Sequence, residues 1–202
     1  VDEKGVLFGE EYTLVACADY ILSKTPGPTV SNLSSTRALA DLTWQYNQKY
    51  STSAVGEVNV ITEMKKQKAV IGGEGNGGVI YPESHYGRDA LVGVVLFLSL
   101  LVARNCSVAT LKESYPAYYM AKYKVDLGEG VDPDRVLKEL EKRYQNEKIS
   151  TLDGVKIDFE QSWVHLRKSN TEPILRIYTE ALSKEEAQSL AEQFTEEINT
   201  LF

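Results

Sequence analysis

The sequence is poor in the residues from which thiolate and imidazole sites are built, with two cysteines and two histidines among 202 residues. Two cysteines are too few for a disulfide framework or a cysteine metal cluster. Cys17 and Cys106 lie far apart in apolar surroundings, so we expect buried, reduced thiols. His85 and His165 are placed where no Ser–His–Asp or Cys–His arrangement can be assembled from them.

Long hydrophobic runs are also missing. The longest, residues 90–103, has 14 residues including Ser99, short of the roughly 20 needed to cross a bilayer. It predicts a buried helix, and we expect no membrane partner. Without a signal peptide, the chain is expected to be cytoplasmic. Its first residue is Val1 and not methionine, so we expect it to be a piece of a longer chain.

Positive charge is in short supply, since 22 Lys and Arg face 29 Asp and Glu, a formal net charge of −7. Most of the surface would repel nucleic acid or an anionic membrane, so we expect no nucleic-acid partner. An anionic ligand would need a local basic site. The 43% hydrophobic and 25% charged residues are typical of a soluble globular protein and exclude disordered and collagen-like classes.

The first half of the chain alternates helices with short apolar strands. This order predicts an α/β domain with a mixed sheet and flanking helices over residues 1–110. We expect Ser34 or Ser35 to cap the second helix. Helices are predicted for residues 10–24 and 89–104, for a segment that ends near Tyr46, and for a segment from just after Gly56 to about Lys66. Strands are predicted through Val30, over 69–71 and over 79–81.

The second half has a different pattern, in which strands joined by short turns are covered by two helices. It predicts a small α+β domain with an antiparallel sheet over residues 111–202. The last helix begins with a capping box at Ser183. The predicted strands are 118–127, 155–160, 163–167 and 174–180, and the first of the two helices is 132–144.

Five glycines occur among the seven residues 72–78, between two predicted strands. The string Gly73-x-Gly75-x-x-Gly78 has the spacing of a dinucleotide fingerprint, but a strand and Pro82 follow where that fingerprint needs a helix. The glycines instead allow close approach of a ligand to the backbone and isolate Glu74 and Asn76. Such side chains suit sugar hydroxyls; the alternative is a flexible hairpin tip with a solvated Glu74.

The segment from Arg167 to Pro173 combines a guanidinium with Ser169, Asn170 and Thr171. Alternation along the preceding strand turns Val164 and Leu166 to the core and leaves Arg167 at the mouth of a loop. Hydroxyls, turn N–H groups and an arginine fork are what a phosphate dianion requires. The alternative is a turn stabilised by its own side chains.

Other polar residues have simpler interpretations. Asp132, Pro133 and Asp134 fit the first turn of a helix better than a metal loop. We predict no metal site and no catalytic residue in this chain. The roles of His85 and Arg176 stay open.

In their order and spacing, three segments resemble the α-D-phosphohexomutase family of phosphoglucomutase, phosphomannomutase and phosphoglucosamine mutase. They are Val55-Gly56 before a helix, the glycine segment 72–78, and Asp153-Gly154-Val155 leading into 167–173. Family members have four domains, and this chain resembles the third, which reads the sugar, and the fourth, which holds phosphate. The phosphoserine context and the Asp-rich Mg²⁺ loop of the first two domains are not found in this sequence.

The resemblance implies that Glu74 binds sugar hydroxyls, with Asn76 where many relatives have serine and Gly78 where many have histidine. It implies that Arg167, Ser169, Asn170 and Thr171 hold the phosphate that is not being transferred. The expected ligand is a hexose phosphate. Mg²⁺ would serve the full-length enzyme without being bound by this fragment, and the missing N-terminal domains would be its partners.

Three hypotheses follow. The chain is the sugar- and phosphate-binding half of a phosphohexomutase that interconverts hexose 1- and 6-phosphates through a bisphosphate, and it is inactive alone. Alternatively, it is a phosphosugar-binding module that never had catalytic domains. A scaffolding role is the third, although nothing in the sequence indicates a protein partner.

Overall fold

A computed structural model describes residues 1–128, 130–169 and 174–201. The chain divides into two compact units, Val1–Pro116 and a second that begins at Ala117. In the first unit the elements are, in order, α1 Glu10–Lys24, β1 Thr29–Asn32, α2 Ala38–Gln45, β2 Tyr50–Ser53, α3 Glu57–Gln67, β3 Ile71–Glu74, β4 Gly78–Ile80, α4 Ala90–Arg104 and α5 Val108–Glu113.

The first unit has a four-stranded mixed sheet in the order β2-β1-β3-β4. The first three strands are parallel, and β4 is antiparallel to β3. Right-handed crossovers place α2 and α3 on opposite faces, because the chain moves in opposite directions along the sheet. A Cβ on Gly72 would meet Met64 of α3, and one on Gly73 would meet Leu14 of α1. The predicted α/β domain with a mixed sheet is confirmed.

The second unit contains β5 Tyr119–Asp126, α6 Pro133–Arg143, β6 Lys148–Ser150, β7 Val155–Asp158, β8 Trp163–Lys168, β9 Ile174–Ala181 and α7 Lys184–Asn199. Its five strands form an antiparallel sheet in the order β5-β9-β8-β7-β6. The two helices cover one face, where Leu140 of α6 and Phe194 of α7 are buried with Val164 and Leu166. The predicted α+β architecture is confirmed.

The predicted helix starts are partly confirmed. Asp132 caps α6 by accepting a hydrogen bond from the N–H of Asp134, and Ser183 and Glu186 form the capping box of α7. The prediction for α2 was wrong, because its N-cap position is Arg37 and no side-chain oxygen caps it there. The Ser35 hydroxyl instead donates to Asn32 Oδ1.

The prediction that residues 89–104 form a mostly buried helix is half wrong. The helix is present, but only Gly93, Leu96 and Leu100 are buried. Apolar periodicity shows which side chains avoid water without showing what covers them. Among the described residues, no helix is long and apolar enough to cross a membrane.

Both cysteines were predicted to be buried, but the structure buries only Cys17 fully. Cys17 is fully buried in α1, and burial raises the pKa of its thiol to about 12. Cys106 is partly exposed, since it follows the C-terminal end of α4. Both are free thiols.

Candidate functional site

The first candidate site lies at the carboxyl ends of the three parallel strands. There β1 ends at Asn32, β2 ends shortly before Gly56, and β3 ends at Glu74. Ligands of open α/β sheets bind at this edge, because the loops leaving neighbouring parallel strands meet there.

Glu74 is held firmly at this edge. Its Oε1 accepts hydrogen bonds from Asn32 Nδ2 at 2.9 Å and from the Gly56 N–H at 3.1 Å. The residue is only 5% exposed. Glu74 was predicted to lie in the glycine loop, but it is the last residue of β3. Its burial also excludes the alternative of a solvated side chain at a flexible hairpin tip. Two donors on one oxygen orient the carboxylate and leave Oε2 for other partners.

A second layer of hydrogen bonds holds Asn32. Its Oδ1 accepts from the Ser35 hydroxyl at 2.9 Å and from the Ser34 N–H at 3.0 Å. The Ser35 hydroxyl in turn accepts the N–H of Gly75 at 2.9 Å. The start of the glycine turn and the end of β1 are thereby locked together.

Arg88 brings a positive charge to Glu74. Its Nη1 lies 3.5 Å from Glu74 Oε2, and its Nε donates to Glu57 Oε2 at 2.9 Å. The Arg88 N–H also donates to Glu57 Oε1 at 2.9 Å, and these two hydrogen bonds hold the pKa of Glu57 below its usual range. Sequence reasoning missed Arg88, because no local pattern links it to a carboxylate so far along the chain.

The glycine turn itself is tight. Gly77 has a φ of +84°, and the Gly78 N–H donates to Asn76 Oδ1 at 3.1 Å. A Cβ on Gly75 would overlap the Glu11 carboxylate. As predicted, a strand follows the turn, so the helix that a dinucleotide fingerprint requires is not there.

An open cavity of about 480 Å³ lies beside the turn. Asn76 and Arg88 line it together with Glu57 and Gly78, whereas Glu74 reaches it only through Arg88. The cavity thus offers an amide, a guanidinium and a carboxylate to a polar ligand.

His85 is exposed and lies outside that lining. Its Nε2 is 3.0 Å from Oδ2 of Asp89, the residue that caps α4. Hydrogen bonds from the Val92 N–H and from His85 hold the pKa of Asp89 below its usual range. This contact assigns His85 a place at the α4 cap.

The second candidate site lies at the end of β8. Arg167 is 19% exposed, and its Nε is 2.9 Å from Oδ2 of Asp153. Arg176 of β9 stands directly opposite Arg167 in the sheet register. Two arginines on one rung concentrate positive charge at this end of an otherwise acidic chain.

The turn before β7 holds Asp153, the ion-pair partner of Arg167, in place. His165 is buried, and its Nε2 lies 2.6 Å from the carbonyl oxygen of Asp153, so the ring donates there. Gly154 has a φ of +71°, and a Cβ at this position would overlap the Leu166 carbonyl. Close packing of this turn on β8 therefore fixes the carboxylate that pairs with Arg167.

Of the remaining predicted phosphate residues, the structure describes Ser169. Its N–H donates to the Ile174 carbonyl at 3.0 Å, which continues the pairing of β8 with β9 past Lys168. Asn170 and Thr171 lie outside the described residues. Lys168, next to Arg167, forms an exposed ion pair with Asp134, 2.9 Å from its carboxylate.

A polar cluster that sequence reasoning missed lines a cavity of about 190 Å³. The fully buried Asp19 accepts from the hydroxyls of Tyr46 at 2.8 Å and Tyr115 at 2.7 Å and pairs with Arg104 at 2.5 Å. Every carboxylate oxygen has a partner, so the cluster ties α1 to the ends of α2, α4 and α5. Within the described parts of the chain, no group of three or more His, Cys, Asp or Glu could hold a metal ion.

Comparison with known proteins matches both units. Residues 9–119 match the family described as "Phosphoglucomutase/phosphomannomutase, alpha/beta/alpha domain III", and residues 123–197 match its "C-terminal domain". A phosphoglucosamine/phosphogalactosamine mutase of Sulfurisphaera tokodaii is 35% identical over 81% of this chain and 36% of its own length. A phosphoglucomutase/phosphomannomutase of Thermococcus kodakarensis is 32% identical over 95% of this chain and 42% of its own.

A solved structure from Thermus thermophilus, provisionally assigned as a phosphomannomutase, superposes with a TM-score of 0.75. It is 30% identical, over 96% of this chain and 42% of that one. The chain thus spans about two fifths of the length of these relatives. It belongs to the phosphoglucomutase/phosphomannomutase family, of which it carries domain III and the C-terminal domain.

Proposed function

We propose that this chain is the sugar- and phosphate-binding part of a phosphohexomutase, an isomerase that interconverts hexose 1- and 6-phosphates through a bisphosphate. The observation that carries the proposal is the buried Glu74 carboxylate, oriented by Asn32 and Gly56 at the carboxyl ends of parallel strands. A carboxylate fixed in this way accepts hydrogen bonds from sugar hydroxyls without losing side-chain entropy on binding.

The first unit is assigned the sugar. Oε2 of Glu74 lies 3.5 Å from Arg88 Nη1, a distance at which a hydroxyl can replace or join the ion pair. Asn76 lines the cavity beside the turn and offers an amide to the same ligand. The first unit, Val1–Pro116, would therefore read the sugar.

We assign phosphate binding to the second unit, which begins at Ala117. Arg167 and Ser169 lie at the start of the candidate loop, and Asn170 and Thr171 are assigned to it from the family resemblance. A guanidinium can bind a phosphate dianion in bidentate fashion without requiring one orientation of the sugar. This suits a reaction in which either end of the substrate must occupy the same position.

Catalysis by this chain alone is not expected. The phosphoserine and the Asp-rich Mg²⁺ loop belong to other domains of the family, and the described residues offer no cluster for a metal. We propose that Mg²⁺ is held elsewhere in the full-length enzyme. Interconversion of hexose phosphates by the isolated chain at an enzyme-like rate would contradict this assignment.

Calorimetric titration tests the phosphate assignment. The ligands are inorganic phosphate and the 6-phosphates of glucosamine, glucose and mannose. Arg167→Ala should weaken binding of every ligand by roughly 10- to 100-fold, because a charge-assisted contact contributes about 1.5–3 kcal/mol. Arg143→Ala removes the same charge from an exposed pair with Glu197 and should leave affinity unchanged. Equal affinities for the Arg167 variant and the wild type would remove the phosphate assignment.

The same titration tests the sugar assignment. Glu74→Gln should weaken binding of the preferred hexose phosphate by about fivefold and should spare inorganic phosphate, since replacing a charge-assisted hydrogen bond by a neutral one costs about 1 kcal/mol. The control is Glu113→Gln at an exposed position of α5. Equal losses for both kinds of ligand would show that Glu74 does not read the sugar. If this chain binds hexose phosphate and the native polypeptide is no longer than this chain, the alternative of a stand-alone phosphosugar-binding module is favoured.

A further inference from the structure

Helix α4 is apolar on all sides, since Ser99 and Arg104 are its only polar residues. Its inner side is buried against the rest of the first unit through Gly93, Leu96 and Leu100. Its opposite side is exposed, with Leu91 79% and Val102 81% accessible to solvent. We call this side the α4 outer face; it consists of Leu91, Val94, Val95, Leu98 and Val102.

The five side chains form one continuous surface. Their spacing of three and four residues places them within about a third of the helix circumference, because each residue advances by about 100°. No charged side chain interrupts this arc. A helix that is apolar all round is ordinarily buried, and a contiguous exposed apolar patch marks an interaction surface.

We propose that the α4 outer face is the docking surface for the preceding domain of the full-length phosphohexomutase polypeptide. This chain spans only about two fifths of its relatives, and its first unit matches a domain numbered III. The uncharged face requires an apolar partner surface. The inference rests on family membership and is independent of the sugar and phosphate assignments.

The position of the N-terminal segment favours this occupant over a second copy of the chain. The Phe8 ring meets the Phe97 ring of α4 edge-on, with centroids 4.9 Å apart. Oε2 of Glu3 accepts the N–H of Ala109 in α5 at 3.3 Å. Any polypeptide joined to Val1 therefore starts beside α4. A domain tethered there has a high effective concentration at the face, whereas a second copy must bind from dilute solution.

Thiol labelling tests the proposal. Leu98→Cys is made in a Cys106→Ser background, where Cys17 is buried and unreactive. The maleimide labelling rate is compared between the 202-residue chain and the polypeptide that includes its native upstream sequence. We expect rapid labelling in the short chain and labelling slowed at least about tenfold in the long one.

Lys66→Cys is the matched control. Lys66 is exposed on α3, which packs on the other face of the sheet, and should be labelled rapidly in both polypeptides. Val95→Cys repeats the test if Leu98→Cys lowers the helix content measured by circular dichroism.

Four outcomes would overturn the proposal. Equal, rapid labelling of Leu98→Cys in both polypeptides would show that the upstream sequence leaves the face open. Slow labelling in a short chain that sediments as a dimer would assign the face to a second copy. Slow labelling in a monomeric short chain, or a native polypeptide with no upstream domain, would refute it equally.

Discussion

Acid should destabilise the second unit through one residue, His165. This side chain is fully buried in β8 and donates from Nε2 to the Asp153 carbonyl. Burial lowers the pKa of the imidazole to about 4 from its ordinary value of 6.5. In the folded protein the ring therefore stays neutral at a pH where the unfolded chain is protonated.

The sign and size of the effect follow from this pKa difference. Because the folded pKa is lowered, the stabilisation is fully present above about pH 6.5 and is lost as the pH falls towards 4. The complete difference, about 2.5 pKa units, corresponds to about 3 kcal/mol. Between about pH 7.5 and pH 5 the folded second unit should lose about 2 kcal/mol from His165 alone.

The assay is urea unfolding followed by the fluorescence of Trp163 in a Trp44→Phe background. Trp163 is buried in the same strand as His165, whereas Trp44 is exposed in the first unit. The wild type should lose about 2 kcal/mol more than His165→Gln between the two pH values. The other histidine provides the control, since His85→Gln alters an exposed side chain and should retain the wild-type pH dependence. Identical pH dependence of the wild type and His165→Gln would refute the reasoning.

Two further predictions concern stability. Gly154→Ala should destabilise the second unit by at least about 1–3 kcal/mol in urea, because its Cβ would overlap the Leu166 carbonyl, and it should also weaken phosphate binding. Gly128→Ala has a similar φ of +73° but open space around its Cβ, so an equal loss of stability would contradict the clash. Asp19→Asn should destabilise the first unit by about 1–3 kcal/mol, followed through Trp44 in a Trp163→Phe background, because the buried side chain loses the charge with which it accepts from two tyrosine hydroxyls and pairs with the partly exposed Arg104. An unchanged urea midpoint would refute this.

Much of the fold could be predicted because the local spacing of apolar residues determines most of its helices and strands. Helices α1, α3, α6 and α7 have apolar residues at helical spacing with clear start or stop signals, and the strands of the second unit alternate regularly. Strand β2 was missed, because Tyr50–Ser53 is polar and has no apolar alternation. The short helix α5 and strand β6 were missed as well, since neither is long enough to show a period.

The candidate site was predictable only in part. Turn chemistry singled out Glu74, Asn76 and Arg167, because glycines and a terminal arginine are visible in a short window. The groups that orient Glu74 come from Asn32, Gly56 and Arg88, which only the sheet topology brings together. The exposure of the α4 outer face was equally hidden, since it depends on what lies beside the helix.

The most direct test of the central claim is an amide NMR titration of this chain with a hexose 6-phosphate and, separately, with inorganic phosphate. The account predicts that both ligands perturb the amides around Arg167 and Ser169, and that only the sugar phosphate perturbs Gly72–Gly78. Identical perturbations by the two ligands would contradict the sugar-reading role of the first unit. Perturbations confined to other residues would contradict the whole assignment.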